Sequence, residues 1–289
     1  MKTKQIEKVI KPGKAHFVGD GFRVHGFIPA AITMERMDPF LVFDYNATYN
    51  FPASEIPKGV GVHPHRGFET VTLAYKGRVE HGDSSGGGGV IAEGDVQWMT
   101  AASGILHKEF HETEWSKTGG DFQMVQLWVN LPSKYKMTAP KYQALTNATI
   151  PKVELDGGLG IVEVVAGNYQ ETAGAASTFT PVHLYNGKLK QGGRMDFALP
   201  EHFNTAVLVL EGQVIINGEP IPTDHFVLFK NEGTDIHIEA DSDALVLVLS
   251  GEPINEPIAA YGPFVMNTEE ELKQAFRDFQ TGKFGHLAD

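Results

Sequence analysis

The sequence contains no cysteine, and this absence excludes disulfides, thiolate metal sites and cysteine nucleophiles together. It fits a reducing compartment. No stretch approaches the ~20 uninterrupted apolar residues that a membrane-spanning helix needs. The first ten residues also lack the apolar core of a signal peptide. The default expectation is therefore a cytoplasmic location.

Basic residues are scarce relative to acidic ones. The 289 residues include 24 Lys and Arg against 36 Asp and Glu, which gives a formal net charge of −12, and no run of basic residues stands out. An acidic chain has no general attraction to nucleic-acid phosphates or to anionic lipid. We therefore expect no direct binding to nucleic acid and none to membranes.

Glycine and proline, 32 and 16 residues, divide the chain into short runs rich in Val, Ile, Leu, Phe and Thr. The length and composition of these runs predict β-strands. The clearest runs are 70–75, 122–129, 161–165, 205–210 and 244–249. Many short strands separated by regular turns are typical of antiparallel barrels or sandwiches.

A weak internal repeat indicates two similar units. Residues 70–79 and 205–214 both read as a strand, a glycine turn and a second strand. We therefore predict two tandem antiparallel β-barrels, one in 1–135 and one in 151–289. The region 136–150 shows little apolar periodicity, and we expect it to be the linker.

One helix is expected near the C-terminus. Thr268 and Glu271 have the spacing of a capping box, and Gly282 is a suitable stop. Apolar residues recur between them at helical spacing: Leu272, Ala275, Phe276 and Phe279. We expect this apolar stripe to pack on the second barrel.

Two histidine motifs carry the chemistry. His63 and His65 are two residues apart, as are His107 and Glu109. In an extended strand each pair lies on one face. Two such pairs on different strands of one barrel can converge, and imidazoles with a carboxylate form a site for a divalent metal ion.

The motifs resemble those of a known family. The segments GVHPHRGFETVT, GDVQWMTA, GILHKE, LWVNLP, GPFVMNT and GKFG occur in the order found in the pirin family of the cupin superfamily. The similarity runs from about residue 15 to the C-terminus. It implies an all-β fold of two cupin-type barrels (double-stranded β-helices), with metal in the N-terminal one. It also implies the ligand set His63, His65, His107 and Glu109.

The resemblance favours iron as the metal ion. Sites of three histidines and a carboxylate also accept Mn, Co, Ni, Cu or Zn. Glu69 is a rival carboxylate, because in many other metal cupins the Glu that follows the HxH motif is a ligand. Glu69 could instead hydrogen-bond a ligating imidazole or act as a base.

The second barrel is expected to hold no metal. Its positions equivalent to His63, His65 and Glu69, 135 residues later, are Ala198, Pro200 and Asn204. Its positions equivalent to His107 and Glu109, 129 residues later, are Ile236 and Ile238. We expect His202 and His237 to lie near these positions without occupying them, with His237 facing water between core isoleucines.

Other features have simpler interpretations. We expect His81 and His111 to be surface residues, or to hydrogen-bond a ligand, rather than to ligate metal. The segment 84–89 lacks the Lys of a phosphate loop and is expected to be a flexible turn. Four further residues are expected in the core or along a pocket: Trp98, Met99, Gln126 and Trp128.

Two functions follow from the family resemblance. The first is a metal-dependent dioxygenase of the quercetinase type, which opens the ring of a flavonol-like phenolic substrate with O2. The second is a non-catalytic, redox-sensing regulator that binds a transcriptional or metabolic protein partner. The acidic, cysteine-free sequence shows no recognisable partner motif.

Overall fold

The computed structural model describes residues 2–288, which are mostly β-strands. The strands of the first half are β1 Ile6–Ile10, β2 His16–Val18, β3 Phe22–Ile28, β4 Phe40–Phe51, β5 Gly59–His65, β6 Phe68–Lys76, β7 Val79–Asp83, β8 Gly88–Ile91, β9 Val96–Thr100, β10 Ile105–His111, β11 Gly120–Asn130 and β12 Lys141–Leu145. Those of the second half are β13 Lys152–Glu154, β14 Gly160–Ala166, β15 Asn168–Tyr169, β16 Thr172–Ala173, β17 Val182–Leu189, β18 Arg194–Ala198, β19 Asn204–Glu211, β20 Val214–Ile216, β21 Glu219–Ile221, β22 Phe226–Phe229, β23 Asp235–Ala240, β24 Ala244–Gly251, β25 Ala259–Tyr261 and β26 Phe264–Met266.

The helices are few and short. They are α1 Met34–Met37, α2 Thr113–Thr118 and α3 Glu269–Gln280, with 3-10 turns at Ser133–Tyr135 and Asp156–Gly158. Within residues 2–288, no helix has the length and apolarity needed to cross a membrane.

The chain forms two compact units. The N-terminal barrel unit consists of residues 14–35, 40–147 and 254–288, and the C-terminal barrel unit of residues 2–13, 36–39 and 148–253. A division at 136–150 predicts that the N-terminal residues belong to the first unit and the C-terminal residues to the second. The structure instead places residues 2–13 in the C-terminal barrel unit and residues 254–288 in the N-terminal barrel unit. The physical reason is strand pairing and packing: β1 joins the C-terminal unit through β22, whereas α3 contacts β25 and β26 of the N-terminal unit.

The N-terminal barrel unit contains two main sheets. One has seven strands in the order β12-β9-β6-β11-β4-β3-β2, and the other has four in the order β5-β10-β7-β8. The pairings between these strands are antiparallel. The predicted runs 70–75 and 122–129 lie within β6 and β11, which pair with each other. The four-stranded sheet carries both histidine motifs, on β5 and β10.

The C-terminal barrel unit repeats this plan. Its sheets have the orders β1-β22-β19-β24-β17-β14-β13 and β18-β23-β20-β21. Val79 pairs with His111 in the first unit, and Val214 pairs with Ala240 in the second. The predicted internal repeat is therefore a repeat of strand order, although its register is shifted by one residue between β18 and β23, where Ile236 lies opposite Phe197 and not opposite Ala198.

Apolar side chains occupy the second unit where the first unit has its histidine motifs. Ile236 and Ile238 are 0 % and 1 % exposed and belong to one core cluster with Met195. His237 lies between the two isoleucines with its side chain half exposed, as predicted, and contacts Asp196 at 2.7 Å. Alternation along β23 explains the pattern, because successive side chains point to opposite faces.

The expected linker contains a strand. β12 lies at the edge of the seven-stranded sheet, where it pairs with β9 from Lys141↔Thr100 to Leu145↔Val96. An edge strand makes backbone hydrogen bonds without needing a strongly apolar sequence, which explains why apolar periodicity missed it. Lys136, at the start of the expected linker, is buried and donates to the carbonyl of Gly67.

The C-terminal helix begins as predicted but packs elsewhere. Thr268 caps α3, and the side chain of Glu271 accepts from the Thr268 backbone to complete the capping box. Ala275 is fully buried against Phe264 and Phe284 in a cluster that includes Leu106 of β10. The expectation that α3 packs on the second barrel is therefore wrong, because its apolar stripe finds its partners in the N-terminal barrel unit.

A buried ion pair fixes α3 to the strand that carries the first histidine motif. Arg66, directly after β5, donates to Asp278 at 2.8 Å, and both side chains are less than a tenth exposed. Hydrogen bonds from Lys283 and Arg66 hold the pKa of Asp278 well below its usual value. The stability that this carboxylate contributes is present above its unfolded-state pKa and is lost as the pH falls through the lowered folded-state pKa.

We expect Asp278→Asn to lower the free energy of unfolding by roughly 3 kcal/mol, because it leaves the buried Arg66 guanidinium without its counter-charge. Urea unfolding at neutral pH measures the loss. Glu270→Gln on the same helix is the control, since Glu270 is exposed and pairs only loosely with Lys273 at 3.8 Å. Equal effects of the two substitutions would contradict the role given to the Arg66–Asp278 pair.

Candidate metal centre

The register between β5 and β10 brings the two histidine motifs together. His63 lies directly opposite His107, and a β-bulge follows, so that Glu109 lies opposite Val60. The ring centroids of His63 and His65 are 4.1 and 4.6 Å from that of His107. Each of these histidines offers one ring nitrogen that could bind a metal ion, and the three nitrogens lie within 4.8 Å of one another. The structure thus places the three predicted histidine ligands in one cluster.

Backbone carbonyls orient two of the rings. His63 Nδ1 donates to the carbonyl of Gly61 at 2.9 Å, and His65 Nδ1 makes a longer contact of 3.4 Å to that of Pro263. Because the carbonyl accepts a hydrogen bond from Nδ1–H, Nε2 of the neutral ring carries no proton and is the nitrogen that can bind a metal ion. His107 is fully buried, and neither of its ring nitrogens has a hydrogen-bond partner.

The electrostatics favour neutral imidazoles. Burial, together with the neighbouring histidines, lowers the pKa of His107 well below its ordinary value. The pKa of His65 is lowered in the same way, by burial first and by His63 second. A metal ion binds the neutral form of imidazole, so these rings are ready to bind at neutral pH without losing a proton.

The carboxylate of Glu109 lies beside the cluster. Its two oxygens accept from Gln126 Nε2 at 3.2 and 3.0 Å, and one of them contacts Thr72 Oγ1 at 3.4 Å. Ligand atoms of Glu109, His107 and His81 also lie within 4.8 Å of one another. Glu109 therefore lies next to His107, on the side where His81 lies.

Glu69 has a different environment. It is 1 % exposed and accepts from Thr100 Oγ1 at 2.7 Å. Burial raises the pKa of Glu69 to about 7, against the opposing effect of the Thr100 hydrogen bond. Among residues 2–288, Glu69 belongs to neither group of side chains with metal-site geometry. Its hydrogen bond to Thr100 joins the neighbouring strands β6 and β9.

A cavity of about 650 Å³ opens onto the cluster. His63, His65 and Glu109 line it together with apolar side chains of β3, β4, β5 and β11. The larger of these apolar side chains are Phe22, Ile28, Met124 and Trp128, and Val24, Val42 and Val60 add smaller apolar surfaces. This volume and apolar lining are typical of a small-molecule site.

Of the four residues expected in the core or along a pocket, two line the cavity. Gln126 and Trp128 do so, whereas Trp98 and Met99 are fully buried core residues. Trp128 stacks on Phe68 with ring centroids 4.1 Å apart and lies edge-on to His65. Alternation along β11 places Gln126 and Trp128 on the same face.

The sequence analysis missed Asp44, which also lines the cavity. It lies on β4 directly opposite Gln126 of β11. Burial raises the pKa of Asp44 to about 6, and nearby His16 opposes part of this shift. The available signal was a single carboxylate between the aromatic residues Phe43 and Tyr45, a pattern typical of a strand with one functional face.

His81 and His111 are expected either at the surface or hydrogen-bonded to a ligand, and the surface alternative is wrong for both, because both are buried. His111 is buried among aromatic rings, and its Nε2 donates to the carbonyl of Gly21 at 2.8 Å. His81 is also buried, and its nitrogens have no hydrogen-bond partner. The burial of His81 and His111 could not be predicted from the sequence, because it depends on the strands that flank β7 and β10.

Known proteins share this architecture. Residues 21–129 match the family model described as Pirin, and residues 184–285 match that of the Pirin C-terminal cupin domain. A Pseudomonas aeruginosa protein with the provisional name quercetin 2,3-dioxygenase is 45 % identical over 281 residues, which are 97 % of this chain and 98 % of the relative. The chain belongs to the pirin family.

Solved structures agree with this membership. The quercetin 2,3-dioxygenase from Acinetobacter baumannii has a TM-score of 0.93 and 47 % identity, covering 99 % of this pirin and 100 % of that chain. The Escherichia coli pirin YhhW, solved in complex with nickel(II), has a TM-score of 0.64 and 21 % identity, covering 85 % and 100 %. The second likeness shows a shared fold only. The predicted fold, two cupin domains with a C-terminal helix, is confirmed.

We expect Glu109→Gln to weaken metal binding by about 10- to 100-fold and Glu69→Gln to leave it nearly unchanged. The reason is position: Glu109 lies beside His107, whereas Glu69 hydrogen-bonds Thr100. Competition with a chelator, followed by elemental analysis, measures the affinities. Full metal retention in Glu109→Gln, or an equal loss in both variants, would contradict the assignment.

Proposed function

We propose that this pirin is a metal-dependent dioxygenase of the quercetin 2,3-dioxygenase type, which opens the ring of a flavonol-like substrate with O2. The observation that carries the proposal is the cluster of three histidines, two of which, His63 and His65, line a largely apolar cavity of about 650 Å³. The cavity volume suits a planar aromatic molecule. The names of the Pseudomonas and Acinetobacter relatives support the same chemistry.

We propose His63, His65, His107 and Glu109 as the residues that hold the ion. Their donor set fits a divalent transition metal: three neutral imidazoles and one carboxylate leave a net charge near +1. His107 supports the fit, because its buried nitrogens lack any hydrogen-bond partner. We propose iron, and the nickel complex of YhhW is the reason to test other ions too. Such an ion would supply Lewis acidity toward a phenolate oxygen and a redox couple.

Side chains of the cavity would bind and orient the substrate. Trp128 and Met124 present apolar surface on β11, and Phe22 and Val24 do so on β3. A planar phenol ring can pack against the edge or face of the Trp128 indole. Gln126 has a separate role, since its amide holds the Glu109 carboxylate at 3.0 and 3.2 Å.

We propose Asp44 as the group that accepts the substrate hydroxyl proton. It lines the cavity opposite Gln126, and Gln126 contacts Glu109, so Asp44 lies close to the ion-binding end. With a pKa of about 6, it is ionised at neutral pH and remains a useful base. Glu69, the base suggested by the sequence, is not among the described residues that line the cavity.

The test of the reaction is turnover of quercetin in air. Protein loaded separately with Fe, Mn, Co, Ni, Cu or Zn is mixed with quercetin, and loss of flavonol absorption and uptake of O2 are followed together. We expect turnover above that of the free ion for at least one redox-active metal, and little for His107→Ala. No turnover above the free-ion rate with any of these metals would overturn the proposal and favour the regulatory alternative.

The role of Asp44 predicts a pH dependence. We expect kcat/KM to rise with pH through about 6, the pKa of Asp44, where the carboxyl group is half ionised, and to level off at higher pH as ionisation becomes complete. Asp44→Asn should lower kcat/KM by about 100-fold and remove this rise, because the amide cannot accept the proton.

The matched control is Asp121→Asn on β11, an exposed carboxylate that hydrogen-bonds Asn50. Its pH profile should follow that of the unmodified protein. An unchanged profile in Asp44→Asn would show that another group accepts the proton.

A further inference from the structure

His81 occupies an unusual position behind the predicted ligands. It is 4 % exposed, and neither ring nitrogen has a hydrogen-bond partner. Tyr142 stacks on one face of the ring, at 5.5 Å between centroids and 14° between planes, and the His107 ring lies 5.4 Å away. A buried imidazole without a partner costs free energy unless something binds it.

Strand register directs His81 toward the motif on β10. In the antiparallel pairing of β7 with β10, His81 lies directly opposite Glu109, and Asp83 lies directly opposite His107. Residues two apart on a strand share a face, so the four side chains lie on one face of the two strands. Ligand atoms of His81, His107 and Glu109 lie within 4.8 Å of one another.

Asp83 is placed to orient the His81 ring. Its Oδ1 accepts from the backbone and hydroxyl of Ser85 at 2.8 and 2.7 Å and from the backbone of Gly87 at 3.0 Å. Its Oδ2 has no hydrogen-bond partner and lies 3.6 Å from His81 Nε2. A carboxylate behind a buried imidazole is the usual support of a metal-ligating histidine.

We propose that His81, His107 and Glu109 form a second, inner metal position, with Asp83 orienting His81. The outer position consists of His63, His65 and His107. The donors of the inner position, two imidazoles and one carboxylate, are those of many non-haem Fe(II) sites and suit Co²⁺ and Zn²⁺ as well.

The two positions exclude each other. Both use His107, and Glu109 serves the outer one as well in the proposed ligand set. One ion per chain therefore occupies either the inner or the outer position. His81 and His107 are not among the described residues that line the cavity, whereas His63 and His65 are. Of the inner ligands, Glu109 lines the cavity and the two histidines do not, so an ion there has fewer ligands facing a substrate than an ion at the outer position.

The experiment removes the outer ligands and leaves the inner ones. The double variant His63→Ala/His65→Ala is titrated with Co²⁺, followed by visible absorption and elemental analysis. We expect it to bind one Co²⁺ per chain, with an affinity about 10- to 100-fold below that of the unmodified protein. Adding His81→Ala to the double variant should abolish binding.

Two controls keep the result interpretable. Adding His111→Ala instead of His81→Ala should leave Co²⁺ binding intact, because His111 is equally buried but belongs to neither metal group of the described residues. Circular dichroism establishes which variants fold. If an alanine variant does not fold, the same series is repeated with Gln at positions 63, 65 and 81.

The outcomes separate this inference from the proposed function on which it rests. If the unmodified protein binds Co²⁺ but the folded double variant does not, the inner position is wrong and the outer one stands. Binding that persists after His81→Ala is added also overturns the inner position. If the unmodified protein binds no metal ion at all, both proposals fail.

Discussion

The antiparallel register of β10 with its two neighbours is the constraint on which the metal centre depends. His107 is opposite His63 on one side and Asp83 on the other, and Glu109 is opposite His81. A shift of β10 by one residue would turn His107 and Glu109 to the other face of the sheet, away from His63, His81 and Asp83. A β-bulge lies between His107 and Glu109 in the pairing with β5: β10 advances by two residues, from His107 to Glu109, while β5 advances by three, from His63 to Val60. The bulge allows both motifs to face the histidine cluster despite this difference.

Burial determines the chemistry of the histidine cluster. Desolvation lowers the pKa of both His65 and His107, and neighbouring imidazoles add to it: His63 acts on His65, and His65 acts on His107. The nitrogens of His107 have no hydrogen-bond partner, and Nε2 of His81 lies 3.6 Å from the Asp83 carboxylate, too far for a hydrogen bond. Each buried nitrogen without a hydrogen bond carries a desolvation cost of about 1–3 kcal/mol that a hydrogen bond or a metal ion can offset. The four-stranded sheet therefore contains buried imidazoles that lower the stability of the barrel unless their nitrogens are bound. In the C-terminal barrel unit the positions equivalent to His107 and Glu109 hold Ile236 and Ile238, which pack without such a cost.

Gln126 connects this centre to the cavity. It holds Glu109 with its amide and lies opposite Asp44 on β4. The polar groups of the cavity thus form a line from the histidine cluster along the seven-stranded sheet, between apolar side chains such as Trp128 and Met124.

Local sequence determined a large part of this protein. Short apolar runs gave the strands, the similarity between 70–79 and 205–214 gave the repeated barrel, and Thr268 with Glu271 gave the start of α3. Strand parity was enough to place His63 with His65 and His107 with Glu109, because side-chain direction in a strand follows from spacing alone.

Only the tertiary structure decided which segments and side chains meet. It placed α3 in the N-terminal barrel unit, made 141–145 an edge strand, and brought His81 to Glu109 and Asp44 to Gln126. These pairings join residues distant in sequence. Pairing partners depend on the register and packing of whole sheets, and the apolar periodicity of a single segment carries no information about them.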